Sequence, residues 1–318
     1  MALGKRINPF LKINNDTGFG INASSYGGRF INKDGSYNLK KEGIPVWDRF
    51  SIFHTLLNMP RWKIITVIIV SFIVINLGFA IVYLIVGVDQ ITGIIAANNW
   101  QSFREVYFFS TETFSTVGYG RVNPVGGGAN FVASIEALTG SLFFAVVTGL
   151  MYGRFSKPQA YLAFTNFALI SPYQNGTGLI FRFVSYKDRH NLTDVEVKVN
   201  LSLLEEENGN QIYKFYQLPL ERSHTDNLPM NFTVVHPIDE SSPLQGFTIE
   251  DMQAADVEVY VLVRAFDDVY SATVLQRTSY TYDEIKFNAK FVPMYRESED
   301  RNTTILELNK LNEYKVLG

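Results

Sequence analysis

The 318-residue sequence contains no cysteine, which excludes disulfide frameworks, thiolate catalysis and cysteine-ligated zinc. Its four histidines, at positions 54, 190, 224 and 236, are scattered without the spacing of metal ligands. No Ser/His/Asp set or carboxylate pair stands out, so we expect no catalytic residues and no enzyme. The net charge of −3, from 28 Lys+Arg against 31 Asp+Glu, argues against nucleic acid as the main partner.

Two long apolar runs predict two membrane spans. Residues 64–88 contain no charged side chain, and residues 129–153 contain a single acidic or basic one, Glu136. About 25 residues suffice to cross a ~30 Å hydrocarbon core at ~1.5 Å per residue. We therefore predict transmembrane helices over about 62–88 and 129–154, within a pore domain of residues 60–157. The remaining sequence is too polar for a transporter with many spans.

Basic residues cluster outside the two spans and are scarce between them, where only Arg104 and Arg121 occur. The positive-inside tendency predicts a plasma (inner) membrane protein with both termini in the cytoplasm. The flanking cations are Lys40, Lys41, Arg49, Arg61, Lys63, Arg154 and Lys157.

The segment before the first span divides into two parts. Residues 1–46 are rich in Gly, Asn, Ser and Lys and are predicted to form an extended, partly disordered cytoplasmic arm. Residues 47–59 carry apolar side chains at helical spacing and predict an amphipathic helix in the membrane interface. A solvent-exposed lead-in to the first span is the alternative.

The segment between the spans contains a helix that is too short to cross a membrane. Residues 103–115 have helical character at about half the length of a span, which favours a re-entrant helix. This helix leads directly into Thr116-Val117-Gly118-Tyr119-Gly120. A lone Gly-Tyr-Gly is usually a turn, but here a five-residue match follows a half-length helix between two spans.

These five residues predict a selectivity filter for K⁺. Because only glycine adopts positive φ at little cost, Gly118 and Gly120 allow an extended strand whose carbonyls all face one way. Four such strands would stack oxygen rings that replace the hydration shell of K⁺. Thr116 would add a hydroxyl ring, while Val117 and Tyr119 would pack behind the filter. One strand per chain implies a homotetramer, with K⁺ in the filter and no other cofactor.

Three charged residues near the filter are predicted to support it. Glu112 precedes the filter by one helical turn and Arg121 directly follows it, so a Glu112–Arg121 bridge behind the filter is a reasonable hypothesis. The alternative is that both are solvated at the outer mouth. Glu136 lies within the second span and is expected to face protein behind the filter.

The sequence changes character after Pro158. Valines and leucines at alternate positions of 195–203 and 257–263 have the period of half-buried strands. Further strand-like segments are separated by turns, and no long amphipathic helix interrupts them. We predict a cytoplasmic regulatory domain over 158–318 with an antiparallel, immunoglobulin-like β-sandwich fold. The fold class is thus a membrane α plus β protein.

The sequence resembles the inward-rectifier potassium channels, in particular their prokaryotic (KirBac-like) branch. The resemblance extends over nearly the whole chain from about residue 27 and implies a two-span channel with a cytoplasmic vestibule. The segments that carry it are RFINKDG at 29–35, the amphipathic segment 47–58, the filter 116–120, GRFSKP at 153–158 and HPIDESSPL at 236–244.

The resemblance assigns roles along the second span. Gly140 matches a mid-helix glycine that acts as a hinge. Phe144 matches a pore-facing position that is acidic or Asn in many eukaryotic members, where it attracts blocking Mg²⁺ and polyamines. A phenyl ring carries no charge, which implies weak rectification. Thr148 and Tyr152 follow at one-turn steps, and Tyr152 matches the bulky residue at the cytoplasmic gate. Block by Ba²⁺ is also implied.

The resemblance also implies contacts with anionic membrane lipids and with permeating cations. Lipid-binding candidates are Arg49, Arg61, Lys63, Arg154 and Lys157. The chain continues Pro158-Gln159-Ala160 without the further basic cluster of phosphoinositide-activated members. Asp194, Asp267 and Asp268 lie near positions where the family places acidic rings along the vestibule, which would concentrate cations.

Two other functions are open at this point. One is a membrane-anchored β-sandwich binding module that conducts nothing, which leaves the filter pentapeptide unexplained. The other is a two-span K⁺ channel gated by another cytoplasmic ligand, such as a nucleotide. The nucleotide form is disfavoured because the C-terminal half lacks a strand–Gly-x-Gly-x-x-Gly–helix unit.

Overall fold

The computed structural model describes residues 29–49, 51–207 and 209–317. The described chain divides into two compact units. One unit comprises residues 42–157, and the other combines residues 29–41 with residues 158–317.

The first unit is helical. Its elements are α1 (Val46–Arg49), α2 (Ile52–Asn58), α3 (Arg61–Val86), α4 (Asn99–Phe114) and α5 (Gly127–Phe155), with a short antiparallel pair β1 (Ile91–Thr92) and β2 (Asn123–Pro124). Helices α3 and α5 contain 26 and 29 residues, and both are long and apolar enough to cross a membrane.

The amphipathic segment before α3 forms two short helices rather than the single one predicted over 47–59. Helix α2 has its own N-cap, because the Ser51 hydroxyl accepts a hydrogen bond from the His54 backbone N–H at 3.3 Å. The Ser51 side chain thus takes the place of a backbone carbonyl as acceptor, and this capping bond separates α2 from α1.

Helix α4 begins four residues before the predicted start at 103. The Asn98 side chain caps it by accepting from the Gln101 backbone N–H at 2.9 Å. The first turn is also stabilised by stacking of Trp100 on Phe103, with ring centroids 5.6 Å apart. Phe109 packs edge-on against Tyr83 of α3 at 5.1 Å, within a cluster of buried apolar side chains from α3, α4 and α5.

The second unit is a β-sandwich. Its strands are β3 (Leu162–Phe164), β4 (Ala168–Tyr173), β5 (Gly176–Ser185), β6 (Leu192–Glu207), β7 (Asn210–Leu218), β8 (His224–Asn227), β9 (Phe232–Ile238), β10 (Glu258–Asp267), β11 (Ala272–Thr281), β12 (Ile285–Phe287), β13 (Ala289–Phe291), β14 (Tyr295–Glu297), β15 (Thr304–Leu306) and β16 (Tyr314–Val316). A six-residue helix, α6 (Ile249–Ala254), precedes β10.

Two five-stranded sheets enclose the core. One has the order β11-β10-β6-β7 with β8 also on β6, and the other has the order β12-β4-β5-β3 with β9 also on β5. The core faces of both sheets contribute to one buried cluster, in which Val199, Phe181 and Tyr280 are at most 1% exposed. The fold class is therefore confirmed, with one departure from the antiparallel pattern, since β12 pairs with β4 in parallel.

Residues 29–38, within the segment that was predicted to be an extended, partly disordered arm, pack on the β-sandwich. Phe30 and Ile31 are 4% and 5% exposed and pack with Tyr213, Phe215 and Tyr260. The Glu258 carboxylate accepts from the backbone N–H groups of Phe30 and Ile31, and Arg29 pairs with Glu284 at 2.7 Å. Buried rings and charge-assisted bonds hold this stretch on the β-sandwich. Residues 1–28 lie outside the described residues.

Candidate functional site

The five residues after α4 have an alternating backbone. Thr116, Gly118 and Gly120 have φ values of 60°, 53° and 82°, whereas Val117 and Tyr119 between them do not have positive φ. Alternation of residues that have positive φ with residues that do not is a local geometry in which successive carbonyls can face one side. Positive φ is costly for a β-branched residue such as Thr116, and such strain persists where surrounding contacts hold the backbone.

Hydrogen bonds hold the backbone at both ends of this segment. The N–H groups of Val117 and Gly118 donate to the Glu112 carbonyl oxygen at 3.0 and 3.3 Å. At the other end, the Asn123 side-chain amide donates to the Gly120 carbonyl at 2.6 Å. The segment is thereby tied to the last turn of α4 and to the start of β2.

The two large side chains of this segment are exposed to solvent in the single chain. Val117 is 54% exposed and Tyr119 is 79% exposed. The segment also borders a cavity of about 390 Å³ whose other walls come from α4 and from residues 130–137 of α5. Packing of Val117 and Tyr119 behind the filter stays a prediction.

Arg121 does not pair with Glu112 as predicted. Its guanidinium donates to the Glu105 carboxylate at 2.6 Å and to the Gly93 carbonyl at 3.1 Å. Glu105 and Glu112 are two helical turns apart, so both lie on one face of α4, although only Glu112 was predicted as the partner. The loop before α4 brings Gly93 to Arg121, and this fixes the pairing with Glu105.

Glu136 lies at the junction of α3, α4 and α5 and is fully buried. Its carboxylate accepts from the Tyr83 hydroxyl at 2.6 Å and from the Ser110 hydroxyl at 2.5 Å. Ser110 Oγ also lies 3.1 Å from Asn76 Oδ1. The Glu136 carboxylate thus faces α3 and the middle of α4, and its role in supporting the filter stays a prediction. The partners satisfy a carboxylate that would otherwise be costly in the membrane interior.

Gly140 is a site of close helix contact. A Cβ atom built on it would lie 2.0 Å from the Phe114 carbonyl oxygen, at the last residue of α4. The hinge assignment rested on bending, but α5 is one continuous helix through this position. Glycine is required here because α4 approaches α5 closely, and this requirement holds whether or not the residue also lets α5 bend.

The three predicted pore-lining residues are all exposed in the single chain. Phe144 is 40% exposed and packs against Phe143 and Phe114, with centroids 5.6 and 6.1 Å apart. Thr148 is exposed and Tyr152 is 73% exposed. They lie on α5 at one-turn steps, which places them on one face of the helix.

Arg154 has a structural role that the sequence did not indicate. Its guanidinium donates to the carbonyls of Leu56, Leu57 and Met59 at 2.7, 3.0 and 2.7 Å. These are orphan carbonyls at the end of α2, so Arg154 caps that helix. Its guanidinium is therefore engaged in this cap and only partly exposed, and its contact with lipid headgroups stays a prediction.

The other predicted lipid ligands are more accessible. Arg49, Arg61, Lys63 and Lys157 are exposed. The Lys157 ammonium donates to the Asn58 side chain at 2.7 Å, beside the carbonyls that Arg154 binds.

The three predicted vestibule acids have different surroundings. Asp267 is fully buried and bonds to His190 at 3.0 Å and to the backbone N–H of Val269 at 2.9 Å, so it stabilises a turn and faces no solvent. Its assignment to an acidic ring is corrected. Asp268 is exposed, and Asp194 is exposed and lies 3.0 Å from His224.

Several site residues escaped the sequence reasoning, namely Asn76, Tyr83, Glu105 and Ser110. Asn76 and Tyr83 interrupt an apolar span at a spacing of two helical turns, which places both on one face. Polar side chains within a span normally face protein, and this spacing was the signal that could have found them.

Comparison with known proteins agrees with this geometry. The model of the inward rectifier potassium channel C-terminal domain matches residues 162–316, and the ion channel model matches residues 64–157. Inward rectifier potassium channel Kirbac3.1 of Paramagnetospirillum magnetotacticum is 32% identical over 90% of this chain and 95% of that protein.

Two animal relatives match at lower identity. ATP-sensitive inward rectifier potassium channel 8 of Rattus norvegicus is 24% identical over 85% of this chain and 70% of that protein. G protein-activated inward rectifier potassium channel 1 of Bos taurus is 23% identical over 84% of this chain and 57% of that protein. The family resemblance in the sequence is confirmed: the chain belongs to the inward rectifier potassium channel family.

Proposed function

We propose that four copies of the chain assemble around one axis and conduct K⁺ through a filter formed by residues 116–120 of each copy. The observation that carries this proposal is the alternating backbone of these residues, at the end of a half-length helix between two candidate spans. Carbonyl rings from four strands can replace the hydration shell of K⁺. A closed ring needs four chains because each contributes one strand.

Exposed apolar side chains support assembly. Val117 and Tyr119 are exposed beside a cavity that neighbouring copies would cover. Apolar surface of this kind, next to a constrained backbone, is typical of an interaction site. K⁺ is here the transported ion, and we propose no further cofactor.

The test is tracer Rb⁺ uptake into K⁺-loaded liposomes containing the purified protein. We expect uptake that Ba²⁺ abolishes and external Na⁺ does not reduce. The matched control is the Val117→Ala/Gly118→Ala double variant, which should lose uptake while eluting as a tetramer. A protein that elutes only as a monomer and takes up no Rb⁺ would favour the membrane-anchored binding module instead.

We further propose that Phe144, Thr148 and Tyr152 line the inner pore, with Tyr152 at the gate. Four tyrosines at one level would narrow the pore and favour its dewetting. Tyr152→Ala should therefore raise Rb⁺ uptake. Phe144 carries no charge, so rectification is weak, and Phe144→Asp should increase block by Mg²⁺ and polyamines. Unchanged block in Phe144→Asp would place this side chain outside the pore.

We also propose an inner-membrane orientation with both termini in the cytoplasm, where exposed cations contact anionic lipid. Each Lys or Arg near the surface contributes about 1 kcal/mol of attraction. In this orientation the exposed Asp194 and Asp268 face the cytoplasm and concentrate cations.

Arg154→Lys separates lipid attraction from helix capping. The substitution retains the charge but cannot span three carbonyls. We expect it to lower the thermal stability of the tetramer, whereas Lys157→Gln should reduce only the dependence of uptake on anionic lipid. Retention of wild-type stability by Arg154→Lys would show that the cap is unimportant.

A K⁺ channel gated by another cytoplasmic ligand remains a second candidate within the same class. A cavity in the β-sandwich unit favours it.

A further inference from the structure

The β-sandwich contains a cavity of about 500 Å³ on the outer face of one sheet. Leu169 and Ser171 of β4 line it, while Ala168 and Ile170, which alternate with them along the strand, belong to the core. The opposite wall is residues 290–295, which lie over the sheet. Cavities of roughly 300–1,000 Å³ are typical of sites for small molecules.

One polar group of this cavity has no partner. The Ser171 side chain is 1% exposed, and its Oγ has no hydrogen-bond partner within the part of the chain that the structure describes. Buried hydroxyls are nearly always hydrogen-bonded, because desolvation without a partner is costly. A bound molecule with an acceptor oxygen would satisfy Ser171.

The charge of the cavity is positive. Arg182 is 3% exposed and donates to the backbone carbonyls of Lys310, Val292 and Leu311 at 2.5, 2.6 and 2.9 Å. Among the described residues, no carboxylate forms a salt bridge with it, although the Glu313 carboxylate is near enough to favour its charged form. Lys290 also lines the cavity; no Asp or Glu is among the described lining residues, and the Glu221 carboxylate lies beside the lining residue Tyr173. A buried cation whose direct partners are carbonyl dipoles and the Phe291 ring favours a further anion nearby.

The remaining lining is mainly apolar. Leu169 and Ile180 of the sheet face Phe291, Val292 and Met294 of the opposite wall. Such walls bind a hydrocarbon or aromatic body by removing its surface from water.

We propose that this cavity binds a small amphipathic carboxylate, with its apolar body between the sheet and residues 290–295. Its carboxylate accepts from the Ser171 hydroxyl and pairs with Lys290. Because the walls come from two parts of the unit, the ligand contacts β4 and β5 on one side and residues 290–295 on the other, and its binding stabilises the folded unit.

The experiment is a fluorine NMR titration of the full-length protein in detergent with 4-(trifluoromethyl)phenylacetate. We expect saturable line broadening that empty micelles do not produce. Ser171→Val and Lys290→Gln should each weaken binding about five- to tenfold, by loss of one charge-assisted hydrogen bond. Thr233→Trp, at an exposed lining position, should abolish binding by filling the cavity.

Two controls make the outcome decisive. Ser202→Val removes another buried serine hydroxyl, outside this cavity, and should leave binding unchanged. The neutral analogue 4-(trifluoromethyl)phenylacetamide should bind about tenfold more weakly. Absence of saturable binding, equal binding of acid and amide, or wild-type affinity in both Ser171→Val and Lys290→Gln would overturn the proposal. Binding is measured without conduction, so its failure leaves the proposed channel function intact.

Discussion

Gly140→Ala tests whether this glycine is required for close packing or for bending. The added Cβ would lie 2.0 Å from the Phe114 carbonyl oxygen and 2.8 Å from its carbonyl carbon. Real Cβ contacts are essentially never shorter than 3.0 Å, so α4 or α5 must move by about 1 Å. Phe114 is the last residue of α4, two positions before Thr116, so this movement reaches the filter.

The change in the free energy of unfolding caused by Gly140→Ala is the difference between two contributions. Overpacking of a rigid contact costs about 1–3 kcal/mol, and the blocking atoms here are backbone, which cannot rotate away. Replacing a mid-helix glycine by alanine gains about 0.5–1 kcal/mol. We therefore expect Gly140→Ala to destabilise the protein by about 1–2 kcal/mol.

Gly149→Ala on the same helix is the matched control. A Cβ at Gly149 meets no atom within 4 Å, so only the helix-propensity gain applies and stability should stay equal or rise. The assays are thermal dissociation of the proposed tetramer and the ratio of Rb⁺ to Na⁺ uptake. Gly140→Ala should lower both the dissociation temperature and the uptake ratio, whereas Gly149→Ala should lower neither of them. If Gly140→Ala retained wild-type stability and selectivity while only gating changed, bending would be its role and the contact argument would fail.

Three further predictions concern other parts of the molecule. Tyr83→Phe removes one hydroxyl from the Glu136 carboxylate and should cost about 1–2 kcal/mol, measured by thermal dissociation; no loss would show that this bond contributes nothing. Glu105→Gln should destabilise more than Glu112→Gln, since Arg121 pairs with Glu105; the reverse order would restore the original prediction. Burial lowers the pKa of His236 below 6.5, so the unfolded chain binds more protons and stability should fall as pH drops through about 6.5. His236→Gln should reduce this dependence of the unfolding temperature on pH. If the dependence is unchanged in the variant, other titrating groups cause it.

The sequence predicted the features that depend on local pattern. Helices α3 and α5 lie within two residues of the expected spans because apolar length alone defines them. The alternation at 195–203 placed the core residues correctly, since each of these apolar side chains is at most 1% exposed.

The pairing of charged groups could not be predicted in the same way. Glu105 and Glu112 share a helix face, and only the position of the Gly93 loop selects between them. Asp267 and Asp268 are adjacent, yet the first is the last residue of β10 and is buried against His190, whereas the second lies in the turn after the strand and is exposed. Arg154 lies among cationic anchors in sequence, and its contact with α2 arises from tertiary structure. Such contacts join residues distant along the chain, and composition carries no information on them.

The polypeptide passes between its two units twice, after residue 41 and after residue 157. The helical unit is therefore inserted into the sequence of the β-sandwich unit and is joined to it at both of its ends. Within the helical unit, the Arg154 guanidinium near the end of α5 binds the last carbonyls of α2, so the segments near the two ends of the insertion meet at one side chain. A displacement of α2 is thus transmitted to the end of α5 through the three hydrogen bonds of one guanidinium.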